Sequence, residues 1–234
     1  MTNRTTTSGT AAQPRIHVVW DWNGTVRDDL SDHVAALNAT LPDLGGSPVS
    51  VETYRALHRV PIRSFYDLLL HREITDEEWL RGDAAFLAVL DERPVRLRAG
   101  ARQIMLGLRA AGHRQSLLSL APHERLVHEV EKAGITKLLD RIDGRIGTVV
   151  RTKGPALAAH LAALGVPPDN ALVIGDSLDD AVAAQEVGAY PVLHTGGLHS
   201  AQRLATAGVT LVDTLQEAVE VGIAAIAERQ GTAT

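Results

Sequence analysis

The architecture of the chain follows from one segment, Ile16-His17-Val18-Val19-Trp20-Asp21-Trp22-Asn23-Gly24-Thr25. Its first five residues are mostly β-branched or apolar, which predicts a buried strand that ends directly at the carboxylate of Asp21. From Arg15 onward, similar short runs alternate with Ala- and Leu-rich helical stretches. This alternation is typical of the α/β class, in which helices cover the faces of a parallel sheet.

The rest of the chain continues this alternation after one long interruption. Further strands are predicted at residues 115–119, 142–146, 171–175, 191–194 and 209–212, and helices at 100–111, 123–133, from Lys153 and from about 215. Helical periodicity alone dominates residues 30–97. Asp21 and Ser119 are 98 positions apart, whereas a βα unit needs only about 30 residues. The surplus predicts an inserted helical module.

Composition excludes several classes of protein. The 234 residues are 45% hydrophobic and 22% charged, as in ordinary globular proteins. The net charge of -5 and the absence of a long basic cluster argue against nucleic acid or a membrane surface as partner. Without cysteine, disulfides and thiolate metal sites are excluded. Residues 1–14 are small and polar, which predicts a disordered leader, and we expect a cytoplasmic monomer or homodimer.

Reactive side chains follow the predicted strands. Ligands of open parallel sheets bind beyond the carboxyl ends of the strands, and Asp21, Ser119, Lys153 and Asp176 all fall there. The segment Gly175–Asp180 crowds three carboxylates whose mutual repulsion favours a cation. With Asp21, it offers the oxygen ligands that Mg²⁺ prefers.

Each of these residues also has a purely structural interpretation. Asp21 and Ser119 are candidates for turn or helix caps, and Lys153 for a solvated side chain. Acidic residues are common in the first turn of a helix because of its dipole. Asp179 is predicted to face outward, since neighbouring helical positions point about 100° apart.

Taken together, the four elements resemble the haloacid dehalogenase (HAD) superfamily of hydrolases, within it the phosphoglycolate-phosphatase-like group with a helical C1 cap. The resemblance implies a Rossmann-like core formed by residues 15–29 and 98–234, with an α-helical cap at residues 30–97. It also implies a Mg²⁺-dependent phosphatase that acts on a small phosphorylated metabolite.

The same resemblance implies a role for each element. Asp21 would be the nucleophile that forms an aspartyl-phosphate, Ser119 would bind a phosphoryl oxygen, and Lys153 would neutralise the charge that both share. The ligands of Mg²⁺ would come from Asp21, the backbone carbonyl of Asn23, Asp176 and Asp180.

Asn23 departs from the family pattern, which has an aspartate there as general acid and base. An amide cannot deliver or accept a proton at neutral pH, and such catalysis is worth about 10²–10⁴-fold. His123, near the start of the following helix, is the predicted substitute, and an exposed first-turn histidine is the alternative. From the sequence alone, Asn23→Asp is expected to raise turnover.

Substrate selection is assigned to the cap and to residues beside the nucleophile. The cationic segment that contains Arg59 and Arg63 could bind a carboxylate or second phosphate bidentately, or could lie at the surface. The complete predicted set for substrate binding is Thr25, Arg27, His58, Arg59, Arg63, Leu120 and His123.

Other chemistries of the family fit these residues less well than phosphate hydrolysis. Phosphonate-cleaving relatives need a cap lysine, but the lysines here are Lys132, Lys137 and Lys153. Dehalogenase relatives need no metal, whereas this chain keeps its acidic cluster. A phosphomutase stays open, although it too needs the missing acid/base. The alternative to an active phosphatase is a binding protein: a catalytically weakened family member that binds a phosphometabolite or a partner.

Overall fold

The computed structural model describes residues 15–147 and 152–232, so the predicted leader at residues 1–14 lies outside the described residues. Its centre is a six-stranded sheet in the order β3-β2-β1-β4-β5-β6, and every neighbouring pair is parallel. The strands are β1 His17–Trp20, β2 Arg114–Pro122, β3 Ile142–Arg145, β4 Ala171–Gly175, β5 Tyr190–His194 and β6 Thr210–Val212. The predicted α/β class is confirmed.

Four helices form the insertion between β1 and the next core helix: α1 Leu30–Thr40, α2 Val51–Leu57, α3 Ile62–Leu70 and α4 Asp76–Asp91. The core helices are α5 Ala101–Ala110, α6 His123–Lys132, α7 Lys153–Leu164, α8 Leu178–Val187, α9 Ala201–Leu204 and α10 Leu215–Gly231. Short 3-10 helices occupy residues 41–44, 136–138, 168–170 and 205–207. None of the described helices has the length and apolar character needed to cross a membrane.

Both faces of the sheet are buried, as the mainly apolar sequence of β1 predicts. Val18 packs into one hydrophobic cluster with Met105 and Leu126, while its neighbour Val19 packs into a second cluster with Leu157. The alternation places β1 in the middle of the core, so that the residue after it is held rigidly.

The cap, residues 30–97, forms most of a further hydrophobic cluster, built around Leu37, Tyr54 and Phe65, which also includes Leu198 of the core. The two segments that connect the cap to the core are hydrogen-bonded to each other. The N–H of Asp28 donates to the carbonyl of Arg96 at 2.9 Å, and the N–H of Arg98 donates to the carbonyl of Val26 at 2.8 Å. The exact boundaries of core and cap stay a prediction.

The structure extends β2 beyond the predicted end at Ser119. The register between β2 and β3 shifts after Leu118, yet Pro122 still pairs with Arg145. Ser119 therefore lies in an irregular part of the strand rather than at its end. An irregular register of this kind changes the direction of side chains locally. The pattern of apolar residues in the sequence does not predict such a shift in register.

His17 gives a stability test that is remote from the cluster of reactive side chains. It is 3% exposed, and its Nε2 lies 2.7 Å from Ser116 Oγ. Burial, and then the charge of Arg114, lower the pKa of His17 from 6.5 to about 4. The unfolded chain therefore takes up a proton below pH 6.5 that the folded chain refuses. This contribution to stability is complete above pH 6.5 and is lost as the pH falls towards 4, by about 1.4 kcal/mol per pH unit.

We expect His17→Gln to flatten the fall in unfolding free energy between pH 6 and pH 4.5 by about that slope, measured by urea denaturation. The matched control is His128→Gln, because His128 is exposed on α6. Parallel profiles for His17→Gln and wild type would contradict the prediction.

Candidate active site

The reactive side chains meet at the carboxyl edge of the sheet. Asp21 follows β1, and its N–H continues the ladder by donating to the carbonyl of Ile174 at 2.9 Å. Lys153 is the first residue of α7, and Asp176 directly follows β4. These side chains are buried. The edge is the one at which parallel sheets bind ligands.

A buried ammonium joins two of the carboxylates. Lys153 Nζ donates to Asp21 Oδ1 at 2.6 Å and to Asp180 Oδ1 at 2.5 Å, and Lys153 is 4% exposed. One oxygen from each of Asp21, Asp176 and Asp180 lies within 4.8 Å of the other two. The structure thus brings together four residues that the sequence separates by up to 159 positions.

The two carboxylates that follow β4 are fixed by hydrogen bonds. Asp180 Oδ2 accepts from the N–H of Ser177 at 3.1 Å and from its hydroxyl at 2.7 Å. Asp176 Oδ1 accepts from Thr25 Oγ1 at 2.8 Å, and Asp176 Oδ2 accepts from the N–H of Leu198 at 2.5 Å. Thr25, predicted to bind substrate, is fully buried and instead orients Asp176.

Glycine is needed where the backbone approaches Asp176. Gly24 has a φ of +75°, and a Cβ there would lie 2.3 Å from Asp176 Oδ2. A Cβ on Gly197 would lie 2.1 Å from the same oxygen. The glycine-rich loop at residues 195–200 was not predicted to belong to the site. Its two glycines after β5 were the available signal, but glycine is also the ordinary residue for a turn.

The charges of the cluster do not balance. Burial raises the pKa of Asp21 well above its usual range, and the carboxylates of Asp180 and Asp176 add to this while Lys153 opposes it. Burial and Asp180 also raise the pKa of Asp176 to about 7. Burial acts in the same direction on Asp180, but Lys153 and Ser177 outweigh it and hold the pKa of Asp180 below its usual value.

Lys153 remains an ammonium ion in this setting. Burial disfavours its charge, but Asp180 and Asp21 outweigh burial and raise the pKa of Lys153 above its usual value. Three carboxylates face this single cation, so the cluster has the oxygen donors and the residual negative charge that suit a divalent ion. The predicted Mg²⁺ site therefore fits the residues present.

A cavity of about 180 Å³ opens beside the cluster, between core and cap. The predicted site residues on its wall are Asp21, Asn23, His58, Ser119, Leu120, Lys153 and Asp176. Ser119 is buried there, and its Oγ accepts from the N–H of Ala121 at 3.2 Å, which leaves the hydroxyl hydrogen to donate to a ligand.

Arg27, which was predicted to bind substrate, lies away from the cavity. Its side chain is 1% exposed and does not line the cavity formed by the described residues. Arg27 Nη1 lies 2.6 Å from Glu129 Oε1, and Arg27 Nε lies 3.4 Å from Asp29 Oδ2. An unpaired buried arginine is very costly, so these carboxylates give Arg27 a structural role.

Arg59 and Arg63, the two cap arginines predicted to bind substrate, do not line the cavity either. Arg63 bridges α3 and α4, since Nη1 donates to Asp76 Oδ1 at 2.5 Å and Nη2 donates to the carbonyl of Ile74 at 2.6 Å. Arg59 is half-buried, and its Nε donates to the carbonyl of Leu57 at 3.3 Å. In the described residues, neither guanidinium faces the cavity.

His123 does not occupy the place predicted for a substitute acid/base. Its Nδ1 accepts from the N–H of Gly144 at 3.1 Å, and it is not among the described residues that line the cavity. The histidines on the cavity wall are His33 and His58, both from the cap.

Asp179 also differs from its prediction. It is half-buried, it lines the cavity, and its Oδ2 has no hydrogen-bond partner in the described part of the chain. Burial and the adjacent Asp180 raise the pKa of Asp179 to about 6. The reason is that the first turn of α8 abuts the cavity, so adjacent positions both face the site.

The Asn23 side chain is held by a buried carboxylate. Asn23 Nδ2 donates to Asp29 Oδ2 at 2.6 Å, and the N–H of Gly24 donates to Asp29 Oδ1 at 2.8 Å. His33 Nε2 lies 3.2 Å from Asp29 Oδ2. Burial would raise the pKa of Asp29, but His33 and Arg27 outweigh burial and lower it. The amide of Asn23 therefore faces an ionised partner and matches it as a donor.

This hydrogen bond changes the expectation for Asn23→Asp. The variant sets a second carboxylate against Asp29, so we expect the unfolding free energy at pH 7.5 to fall by about 1–3 kcal/mol. The exchange variant Asn23→Asp/Asp29→Asn restores an amide–carboxylate pair and should recover part of that loss. A carboxyl at position 23 is expected to raise turnover. We expect this increase in the exchange variant and not in the single variant. Urea denaturation and steady-state assays check both results, and a fully stable Asn23→Asp would contradict them.

The 195–200 loop connects the cap to Asp176. From α2, Arg55 Nη2 donates to the carbonyls of Thr195 and His199, the latter at 3.0 Å. The N–H of Ser200 donates back to the carbonyl of Arg55 at 3.0 Å. His58 Nδ1 lies 3.1 Å from His199 Nε2. The loop that donates to Asp176 through Leu198 is thus also the main polar contact of α2 with the core.

Comparison with known proteins agrees with this geometry. The family model for haloacid dehalogenase-like hydrolases matches residues 17–188. A phosphoglycolate phosphatase of Synechococcus elongatus is 25% identical over 196 residues, which cover 81% of this chain and 88% of that protein. Phosphoglycolate phosphatase 1 of Pseudomonas aeruginosa is 26% identical over 209 residues, covering 85% and 76% respectively.

Solved structures share the fold. A chain from Haemophilus somnus 129pt, described as a predicted phosphoglycolate phosphatase, superposes with a TM-score of 0.74 at 20% identity, covering 91% of this chain and 99% of that one. A predicted phosphatase from Clostridium acetobutylicum gives 0.76 at 16% identity, covering 88% and 98%. Because the family model spans well over half of the sequence and includes Asp21, Ser119, Lys153 and Asp176, this chain belongs to the haloacid dehalogenase-like hydrolases.

Proposed function

We propose that the chain is a Mg²⁺-dependent phosphatase that hydrolyses a small phosphate monoester through an aspartyl-phosphate on Asp21. The observation that carries this proposal is the contact of Lys153 Nζ with Asp21 and Asp180, beside Asp176, on the wall of one cavity. The phosphoglycolate phosphatases among the relatives support the same reaction class.

In the first step, an oxygen of Asp21 attacks phosphorus and the bond to the ester oxygen breaks, which leaves an acyl phosphate on Asp21. The departing alkoxide takes a proton from water and leaves as the alcohol, because the amide at position 23 supplies none. In the second step, water attacks the same phosphorus and the bond to Asp21 breaks, which releases inorganic phosphate. Lys153 fixes Asp21 through Oδ1 and neutralises charge that the carboxylate shares with the phosphoryl group. The hydroxyl of Ser119 donates to a phosphoryl oxygen. Phosphoryl transfer needs mainly such alignment and charge stabilisation.

Mg²⁺ would be held by Asp21, the backbone carbonyl of Asn23 and Asp176, with Asp180 as a further contributor. The ion would supply positive charge beside the phosphoryl group. Burial of the three carboxylates strengthens this effect, because electrostatic interactions are weakly screened away from water.

A second function, binding of a phosphometabolite or a partner without turnover, is favoured by one observation. The amide of Asn23 is committed to Asp29, so position 23 supplies no proton. The two functions differ in whether Asp21 becomes phosphorylated.

Trapping with beryllium fluoride and Mg²⁺ in a crystal tests the proposed chemistry directly. We expect electron density for beryllium fluoride, with beryllium bonded to a carboxylate oxygen of Asp21, beside Lys153 and Ser119. Fluoride bound elsewhere, or no bound fluoride at saturating Mg²⁺, would contradict an aspartyl-phosphate. The location in the cytoplasm and the state of monomer or homodimer stay predictions.

A further inference from the structure

The wall of the cavity has a polar end at the core and a mainly apolar end at the cap, where His33, His58 and Asp83 are the polar side chains. The carboxylates, Lys153 and Ser119 form the polar end, at the core. The cap contributes five aromatic side chains to the remainder: Tyr54, Phe65, Tyr66, Trp79 and Phe86. Aliphatic residues, among them Leu37, Ile62 and Leu90, line the same cavity.

The aromatic rings are held by each other. Tyr54 meets Phe65 edge to face with centroids 5.3 Å apart, and Tyr66 meets Trp79 in the same way at 6.0 Å. Edge-to-face pairs of this kind are favourable beyond their buried area. The rings therefore form a preformed wall.

The tyrosine hydroxyls have partners within the cap. Tyr54 Oη lies 3.2 Å from His33 Nδ1, and Tyr66 Oη lies 3.4 Å from Thr40 Oγ1. These contacts occupy the polar ends of both side chains, so the tyrosines present mainly carbon to the cavity.

The two arginines on the wall contact other protein groups, but in the described residues Arg145 donates only to neutral carbonyls and Arg125 Nη2 has no hydrogen-bond partner. Arg125 lies 2.7 Å from Glu129 Oε1 and 3.2 Å from Asp91 Oδ1. Arg145 donates to the carbonyls of Leu120 and Gly147 at 3.2 and 2.5 Å. The carboxyl of Asp83 lies on the same wall as both arginines. A substrate carboxylate would have to compete with these partners.

We infer that the organic group of the substrate is neutral, apolar and about the size of one ring, rather than a small acid such as glycolate. This inference rests on the proposed phosphatase activity, because the polar end sets where the phosphate lies. The cavity volume of about 180 Å³ must hold the phosphate as well as this group, so it sets an upper limit of about one ring, given that a dry cavity of about 150 Å³ accommodates benzene. The substrate class is thus an ester of phosphate with an aromatic or compact branched alcohol.

Three esters of primary alcohols test the inference: benzyl phosphate, ethyl phosphate and phosphoglycolate, each assayed with Mg²⁺. Benzyl and ethyl phosphate differ mainly in the ring, so their ratio of kcat/KM isolates the apolar wall. We expect a ratio of at least about 10², because even one methylene in an apolar pocket is worth about 10-fold or more. Phosphoglycolate should be no better than ethyl phosphate.

Trp79→Ala is expected to lower the benzyl-to-ethyl ratio at least about tenfold. Leu80→Ala is the matched control on the same helix, because Leu80 is 59% exposed and lies off the wall; it should keep the ratio. A ratio is used because a general loss of folded enzyme cancels in it.

Calorimetry separates this inference from the proposed function. The Asp21→Asn protein should bind benzyl phosphate at least about tenfold more tightly than phosphoglycolate. If no ester is hydrolysed by wild type but this preference holds, the phosphatase proposal fails and the ligand class stands. Asp21-dependent hydrolysis without a benzyl preference, or tighter binding of phosphoglycolate, overturns the ligand class alone.

Discussion

Replacing Asp21 by asparagine is expected to reduce the hydrolysis of phosphate monoesters by roughly 10⁴–10⁶-fold, to the background of the assay. The amide keeps the size of the side chain but is a poor nucleophile, so no acyl phosphate forms. The fold should not suffer. Because the pKa of Asp21 is raised by burial and by the other carboxylates, removing its charge relieves repulsion, and the unfolding midpoint in EDTA should be equal or higher.

The measurement combines a steady-state assay with Mg²⁺ and urea denaturation without it. Asp169→Asn is the matched control, since Asp169 is exposed in the turn before β4, and it should retain full activity. Activity in Asp21→Asn within tenfold of wild type would remove the nucleophile from the mechanism. A binding module would show no hydrolysis that depends on Asp21.

Replacing Lys153 by methionine is expected to lower turnover by about 10³-fold, because the charge that Asp21 shares with the phosphoryl group is no longer neutralised. It should also destabilise the protein in EDTA by about 3–5 kcal/mol, since removal of one partner leaves buried charges uncompensated. Mg²⁺ should recover part of that stability by supplying positive charge to the same carboxylates.

Lys132→Met is the control for this variant, because Lys132 is exposed at the end of α6. It should change neither turnover nor stability measurably. A Lys153→Met protein that is as stable as wild type in EDTA would show that the contacts with Asp21 and Asp180 contribute little. Unchanged turnover would exclude Lys153 from the chemistry.

Local patterns predicted the elements that carry the chemistry. The run Ala171–Gly175 is continuously apolar and the run before Asp21 is interrupted only by His17, as expected of strands buried on both faces. The structure places both strands within one residue of their predicted bounds. Because all strands are parallel, residues after them had to share one edge. This constraint brought Asp21, Lys153 and Asp176 together without knowledge of side-chain contacts.

Contacts between distant residues could not be predicted in this way. Arg27 was assigned to substrate from its place after the nucleophile, but its partner Glu129 is 102 positions away and lies on α6. The Asn23 side chain had an equally hidden partner in Asp29, although only six residues separate them. Charge and spacing show which residues can pair, whereas packing decides which residues do.

The character of the cavity was also hidden. The cap was recognisable as helical, but which of its faces meets the core depends on how α1–α4 pack together. Arginines stood out in the sequence because they are charged, whereas the wall is formed by scattered aromatic residues such as Tyr54 and Trp79. Chemical function in the cap therefore follows from three-dimensional packing more than from any short motif.

The 195–200 loop makes the two ends of the molecule energetically interdependent. From the cap, the guanidinium of Arg55 donates to backbone carbonyls of this loop. From the same loop, the N–H of Leu198 donates to Asp176. Lifting α2 away strains those contacts and so disturbs a proposed ligand of the ion. By thermodynamic reciprocity, a ligand that favours these cap contacts would raise the affinity for the cation, and the cation would raise the affinity for that ligand by the same factor.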